Sequence, residues 1–160
     1  MSVVADIAAT YLGPRRVIRR ILAAGVREDR ALVTLLAGCA VVFMAQWPRL
    51  SREAHLSGED LNIQLGGALF AWLFLMPLVL YALALLSHWA LRVTGGQGAP
   101  FAARMALFWA LLASAPVMLF WGLVAGFVGP GPGLSAVGAI WLAAFLWFWL
   151  AGLIEARRAT

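Results

Sequence analysis

Four apolar runs, at about residues 31–47, 63–91, 103–128 and 134–153, dominate the sequence, and only Arg104, near the start of the third, puts a fixed charge inside them. Inside a hydrocarbon layer nothing but the chain itself can satisfy backbone N–H and C=O groups, and a helix closes all of them within one segment. The spacing therefore predicts an all-α integral membrane protein, a four-helix transmembrane bundle. The 160 residues are 64% hydrophobic and only 12% charged, where a soluble domain holds about half and a quarter. That leaves too little polar surface to cover a water-soluble globule. The chain divides into a surface segment, residues 1–30, and a membrane domain, residues 31–160.

The net charge is +5 and all twelve basic residues are arginine, a usage that fits a GC-rich bacterial genome. These arginines stand at the ends of the apolar runs, where they orient spans and meet headgroups, so nucleic acid is not expected as a partner. Arg15, Arg16, Arg19, Arg20, Arg27, Arg30, Arg92, Arg104, Arg157 and Arg158 fall on one side of a four-span layout, against Arg49 and Arg52 on the other. The excess places both termini and the 92–104 loop in the cytoplasm of a multi-pass inner-membrane protein.

Residues 1–30 read as surface helices, because Asp6 and Thr10 interrupt any signal-peptide core. Val3, Val4, Ile7, Tyr11 and Leu12 recur at helical spacing, and Pro14 suits the first turn of a second helix. There Arg15, Arg16, Arg19 and Arg20 alternate with Val17, Ile18, Ile21 and Leu22. The pattern predicts an amphipathic interfacial helix, its apolar face among acyl chains and its arginines on anionic lipids at about 1 kcal/mol each. Lipid or partner binding and a purely topogenic anchor are both compatible with it.

The first span is expected to close at Pro48 and Arg49, followed by a polar loop in which Glu59 and Asp60 cap the next helix. Pro77, near the middle of the long second span, predicts a kink or tilt. Gly95, Gly96 and Gly98 supply a sharp reversal, and Pro100 starts the following helix. In the third span Pro116 predicts a second kink, with Ser114 close enough to compensate, and Gly122 and Gly126 form a GxxxG suited to close helix contact. That contact lies within the bundle or between protomers of a homo-oligomer. The 129–133 linker makes spans three and four a hairpin, and Trp141, Phe145, Trp147, Phe148 and Trp149 read as belt and packing residues.

No reaction centre emerges. Cys39 is the single cysteine; Leu36–Cys39 resembles a lipoprotein cleavage box, but the run continues apolar through Met44. The glycine loop lacks the GxxxxGK[ST] of a phosphate-binding loop. Ser87 and His88 are helical neighbours that do not face each other, and His55 and His88 are expected on opposite membrane faces. We therefore expect no enzyme, no metal site and no cofactor.

Gly13-Pro14-Arg15-Arg16-Val17 before the first span, Gly95-Gly96-Gln97-Gly98 with Phe101, Ala115-Pro116, and the closing Gly152-Leu153-Ile154-Glu155 together resemble a short bacterial member of the Yip1-domain family. The resemblance implies a non-enzymatic membrane adaptor, membrane-organising protein or accessory subunit, with the lipid bilayer and a membrane-protein partner or a second copy as its company. Five-span members of the family associate with small GTPases; four spans and a surface segment depart from that pattern. The alternative is a small-molecule or ion transporter, or a subunit of one, using Ser114, Pro77 and Pro116 at broken helices.

Overall fold

The computed structural model describes residues 2–159, and among them every regular element is helical. Two short helices come first, α1 (Val3–Leu12) and α2 (Pro14–Ala23), followed by α3 (Glu28–Ser57). A second long helix, Leu61–Val93, comprises α4 (Leu61–Phe70), a π-helical turn at Ala71–Leu75, and α5 (Met76–Val93). The last two are α6 (Pro100–Phe127) and α7 (Pro132–Ala156). Four helices, Glu28–Ser57, Leu61–Val93, Pro100–Phe127 and Pro132–Ala156, are long and apolar enough to cross a membrane.

The core is organised around α6. From Phe101 to Ala115 every residue of this helix but Arg104 is buried, which requires neighbours on all sides: α3 and α7 against most of its length, α5 on a third side, and α1 and α2 on the remaining one. Gly38 faces Leu111, Gly122 faces Ala45 and Gly126 faces Pro48, so α3 and α6 run parallel. Gly138 faces Trp121 and Gly152 faces Ala106, so α7 runs antiparallel to α6. In lipid an apolar side chain gains little by choosing protein over acyl chains. Small residues that let backbones touch supply the preference.

Three proline positions show packing competing with hydrogen bonding. The sequence predicts that the first helix closes at Pro48, yet α3 runs through it to Ser57. Pro48 packs directly on Gly126 of α6, and that contact outweighs one missing intrahelical bond. The polar stretch Arg49–Ser57 thus prolongs the helix instead of starting a loop; left-handed Gly58 (φ 73°) ends it, with its N–H on the Ala54 carbonyl. Pro77 is accommodated by the π-turn just before it, where wider winding relieves the clash of its ring with the preceding turn. Around Pro116 the Ser114 hydroxyl donates to the Leu111 carbonyl at 3.0 Å, and the Tyr11 hydroxyl of α1 donates to the Ala113 carbonyl at 2.8 Å. The two carbonyls that flank Leu112, whose own i→i−4 donor Pro116 removes, thus each take a side-chain hydroxyl, and α6 continues through the proline.

That second bond changes the reading of the N-terminal segment. Ala113 is halfway along α6, about 20 Å from its start at 1.5 Å per residue, so α1 packs along the outside of α6 as far as its middle, with only Asp6 and Thr10 of its own residues buried. Thr10 is fully buried, its hydroxyl accepting from Trp109 Nε1 at 3.1 Å and donating to the Asp6 carbonyl at 2.7 Å. The chain turns at Gly13, and α2 returns beside α7. Its predicted apolar face exists, but Val17, Ile18 and Ile21 are buried against α6 and α7, not open to acyl chains. The exposed apolar side chains of this hairpin are instead on the outer face of α1, Val4 and Leu12 among them.

The glycine-rich loop between α5 and α6 is a tight, specified turn. Gly95 adopts φ 82°, its N–H bonding the Arg92 carbonyl, while Gly96 N–H bonds the Leu91 carbonyl at 2.8 Å. This paired closure is the Schellman arrangement, which needs a left-handed residue at its centre. Gly98 sits against the Ala156 carbonyl with no room for a Cβ. The loop is thereby held on the end of α7, where Arg157 donates to the Thr94 carbonyl at 2.6 Å.

Candidate functional site

The chemically loaded region is the end of the bundle that holds the start of α6 and the end of α7. Glu155, in the last turn of α7, is 5% exposed and accepts from Arg15 Nε at 2.7 Å and from Arg19 Nε and Nη2 at 3.0 and 3.1 Å. A carboxylate at a helix C-terminus opposes the helix dipole. Two guanidinium groups offset that penalty, and they converge because Arg15 and Arg19 are one helical turn apart on α2. The Glu155 hydrogen bond in turn raises the Arg19 guanidinium above its ordinary value, so it stays charged.

A second ion pair closes the hairpin on itself: Arg20 of α2 binds the carboxylate of Asp6 on α1, whose side chain is largely buried. Tyr11 meets Phe148 of α7 edge-on, with ring centroids 5.0 Å apart. The hairpin is thus fixed at its base by charges, midway by Thr10 and Trp109, and at its tip by Tyr11.

Of the four arginines that the sequence marks for the membrane surface, Arg15 and Arg19 are drawn together on Glu155, Arg20 is on Asp6, and Arg16 is exposed. Pro77 is buried and Pro116 exposed, on different helices, and they form no shared site. Gly122 and Gly126 face α3 of the same chain, so the GxxxG is occupied inside the bundle. Gly95, Gly96 and Gly98 form the turn.

The sequence pattern assigns no pairing to Asp6, Thr10, Trp109 or Glu155. Asp6 and Thr10, two polar residues one turn apart in an otherwise apolar helix, were the available signal.

Beside the latch that Arg15 and Arg19 form on Glu155 lie open clefts. One of about 520 Å³ is lined by Arg19, Leu22, Glu155 and Arg158, and an adjoining one of about 570 Å³ by Gly95, Gln97, Arg157 and Arg158. A third, about 330 Å³ and mostly apolar, runs below Arg15 between Pro14 and Trp147, Leu150 and Ile154. All three open outward. Among the described residues no three His, Cys, Asp or Glu side chains come together as a metal-binding set. No family model matches this chain, and neither a curated protein nor a solved structure matches it.

Proposed function

We propose that this chain is a non-enzymatic protein of the bacterial inner membrane, acting as an adaptor, membrane-organising protein or accessory subunit in the manner that its Yip1-like segments imply. The observation that carries this reading is the enclosure of α6. Its buried half is wrapped by α3, α5, α7 and the N-terminal hairpin, and the polar groups there, Thr10, Trp109 and Ser114, bond one another or nearby carbonyls. The three clefts beside the latch open on the outside of the bundle. A scaffold whose interior is committed to its own cohesion offers its surface to other membrane components.

One observation favours transport as a second reading. The π-turn before Pro77 loosens backbone hydrogen bonding in the middle of the long Leu61–Val93 helix, as broken helices do at transporter sites. Two experiments separate the readings. Mild extraction from native membranes after cross-linking is expected to yield a discrete hetero-complex of fixed stoichiometry, and proteoliposomes of the purified chain are expected to pass ions and small solutes no faster than empty vesicles. A homo-oligomer alone, together with saturable flux, would replace the adaptor with a transporter.

The proposed orientation, with both termini and the glycine loop cytoplasmic, has its own check. In a Cys39→Ala background, Ser57→Cys and Gln97→Cys stand at opposite ends of the bundle and are expected to react with an impermeant maleimide from opposite sides. Gln97 reacting from the cytoplasm agrees with the arginine distribution; the reverse order would invert the protein.

A further inference from the structure

A fourth recess, separate from the latch, lies between α5 and the start of α6. It measures about 310 Å³ and is lined by Tyr81, Ala84, Leu85, His88, Pro100 and Arg104. His88 is only 8% exposed, and its Nδ1 is buried without a hydrogen-bond partner. Arg104 gives one terminal nitrogen to Glu28, but its Nε is also buried and unpartnered. Two polar nitrogens on one recess are thus left unsatisfied, which is costly unless a ligand or solvent completes them.

The remaining features select the ligand. The start of α6 lies at the same recess through Pro100, which has no N–H, so the helix adds the positive end of its dipole there and not a hydrogen bond. His88 also lines an adjoining recess with Trp89 and Arg92, which brings a further cation to the rim. Glu28 is the carboxylate that engages Arg104, and it leaves that Nε open. The polar end therefore asks for an anion. In the other direction the lining is apolar: Ala82 and Leu85 are exposed, and Tyr81 packs edge-on to Phe108 at 5.0 Å. An anionic head with a hydrocarbon tail satisfies both ends, whereas inorganic phosphate satisfies only one.

We propose that the recess between α5 and α6 binds an anionic glycerophospholipid, its phosphate held by His88, Arg104 and the start of α6 and one acyl chain lying over Tyr81, Ala82 and Leu85. Binding there is independent of whether the bundle accompanies another membrane protein.

The test uses the full chain in nanodiscs of mixed phosphatidylglycerol and phosphatidylcholine, with retained lipid read by native mass spectrometry and folding read by far-UV circular dichroism. Wild type is expected to retain phosphatidylglycerol preferentially. His88→Leu, which keeps the Arg104–Glu28 pair, and Arg104→Lys, which keeps a charge for Glu28 but loses Nε, are each expected to weaken retention about tenfold, equal to about 1.4 kcal/mol. Ala82→Trp, which fills the apolar end and touches neither nitrogen, is expected to do the same and serves if a polar variant does not fold. Folded variants that retain phosphatidylglycerol like wild type, or equal retention of the two lipids, would overturn the proposal. Displacement of the lipid by millimolar inorganic phosphate would also overturn it, in favour of a free-anion site.

Discussion

Replacing Gly122 with valine is expected to lower the stability of the bundle by about 3 kcal/mol, the upper end of the usual cost of overpacking. A Cβ at this position would fall inside the contact radius of the Ala45 carbonyl, and the obstacle is backbone, which cannot step aside as a flexible side chain can. The two helices must then separate along the seam that Gly38, Gly122 and Gly126 define, and lipid gives their apolar faces little reason to return. Gly66→Val supplies the control. It places the same side chain where nothing lies within 4 Å, and its effect is expected to stay within about 0.5 kcal/mol. Unfolding in mixed micelles, followed by circular dichroism, measures both. Since the GxxxG is already occupied within one chain, Gly122→Val is expected to leave the oligomeric state unchanged; equal stability of the two variants would sink the seam.

The second large effect concerns the hairpin. With Arg15 and Arg19 both replaced by glutamine, Glu155 remains buried at the end of α7 with neither of its cationic partners, which is the unfavourable way to break an ion pair. The expected result is detachment of α1 and α2 while the four long helices stay assembled. Ile18, only 2% exposed, reports it: in a Cys39→Ala, Ile18→Cys background, maleimide labelling is expected to accelerate about tenfold, because labelling follows the population of the locally open form. Adding Glu155→Gln removes the stranded charge and is expected to restore much of the protection, a non-additivity that independent sites would not produce. Unchanged labelling in the double variant would mean that Tyr11, Thr10 and the apolar face of α2 hold the hairpin without the charges.

These two results probe what was least legible in the sequence. The Arg15–Arg19 spacing on α2 is local and legible, yet the partner of Arg15 is 140 residues away. Hydropathy gave the four long helices because the cost of an unsatisfied backbone in hydrocarbon depends on each segment alone. The same argument cannot tell an apolar face that meets lipid from one that meets protein, since both are hydrocarbon. That is why the pattern of Val17, Ile18 and Ile21 fits acyl chains as well as it fits α6 and α7, against which the structure buries them. Pro48 reads as a helix end in the sequence for a similar reason: a missing N–H is visible there, and the glycine opposite it on another helix is not.

The sequence by itself therefore determined the all-helical membrane architecture, the four long apolar helices and the glycine turn, each set by the chemistry of a single stretch. Only the tertiary structure decided that α6 is the enclosed helix, that the GxxxG closes on α3, that the N-terminal hairpin packs on α6 and α7 with Arg15 and Arg19 on Glu155, and that His88 and Arg104 share a recess. Each of these depends on backbones approaching closely or on a buried polar group finding its complement, and both are pairings between distant segments that local patterns do not encode.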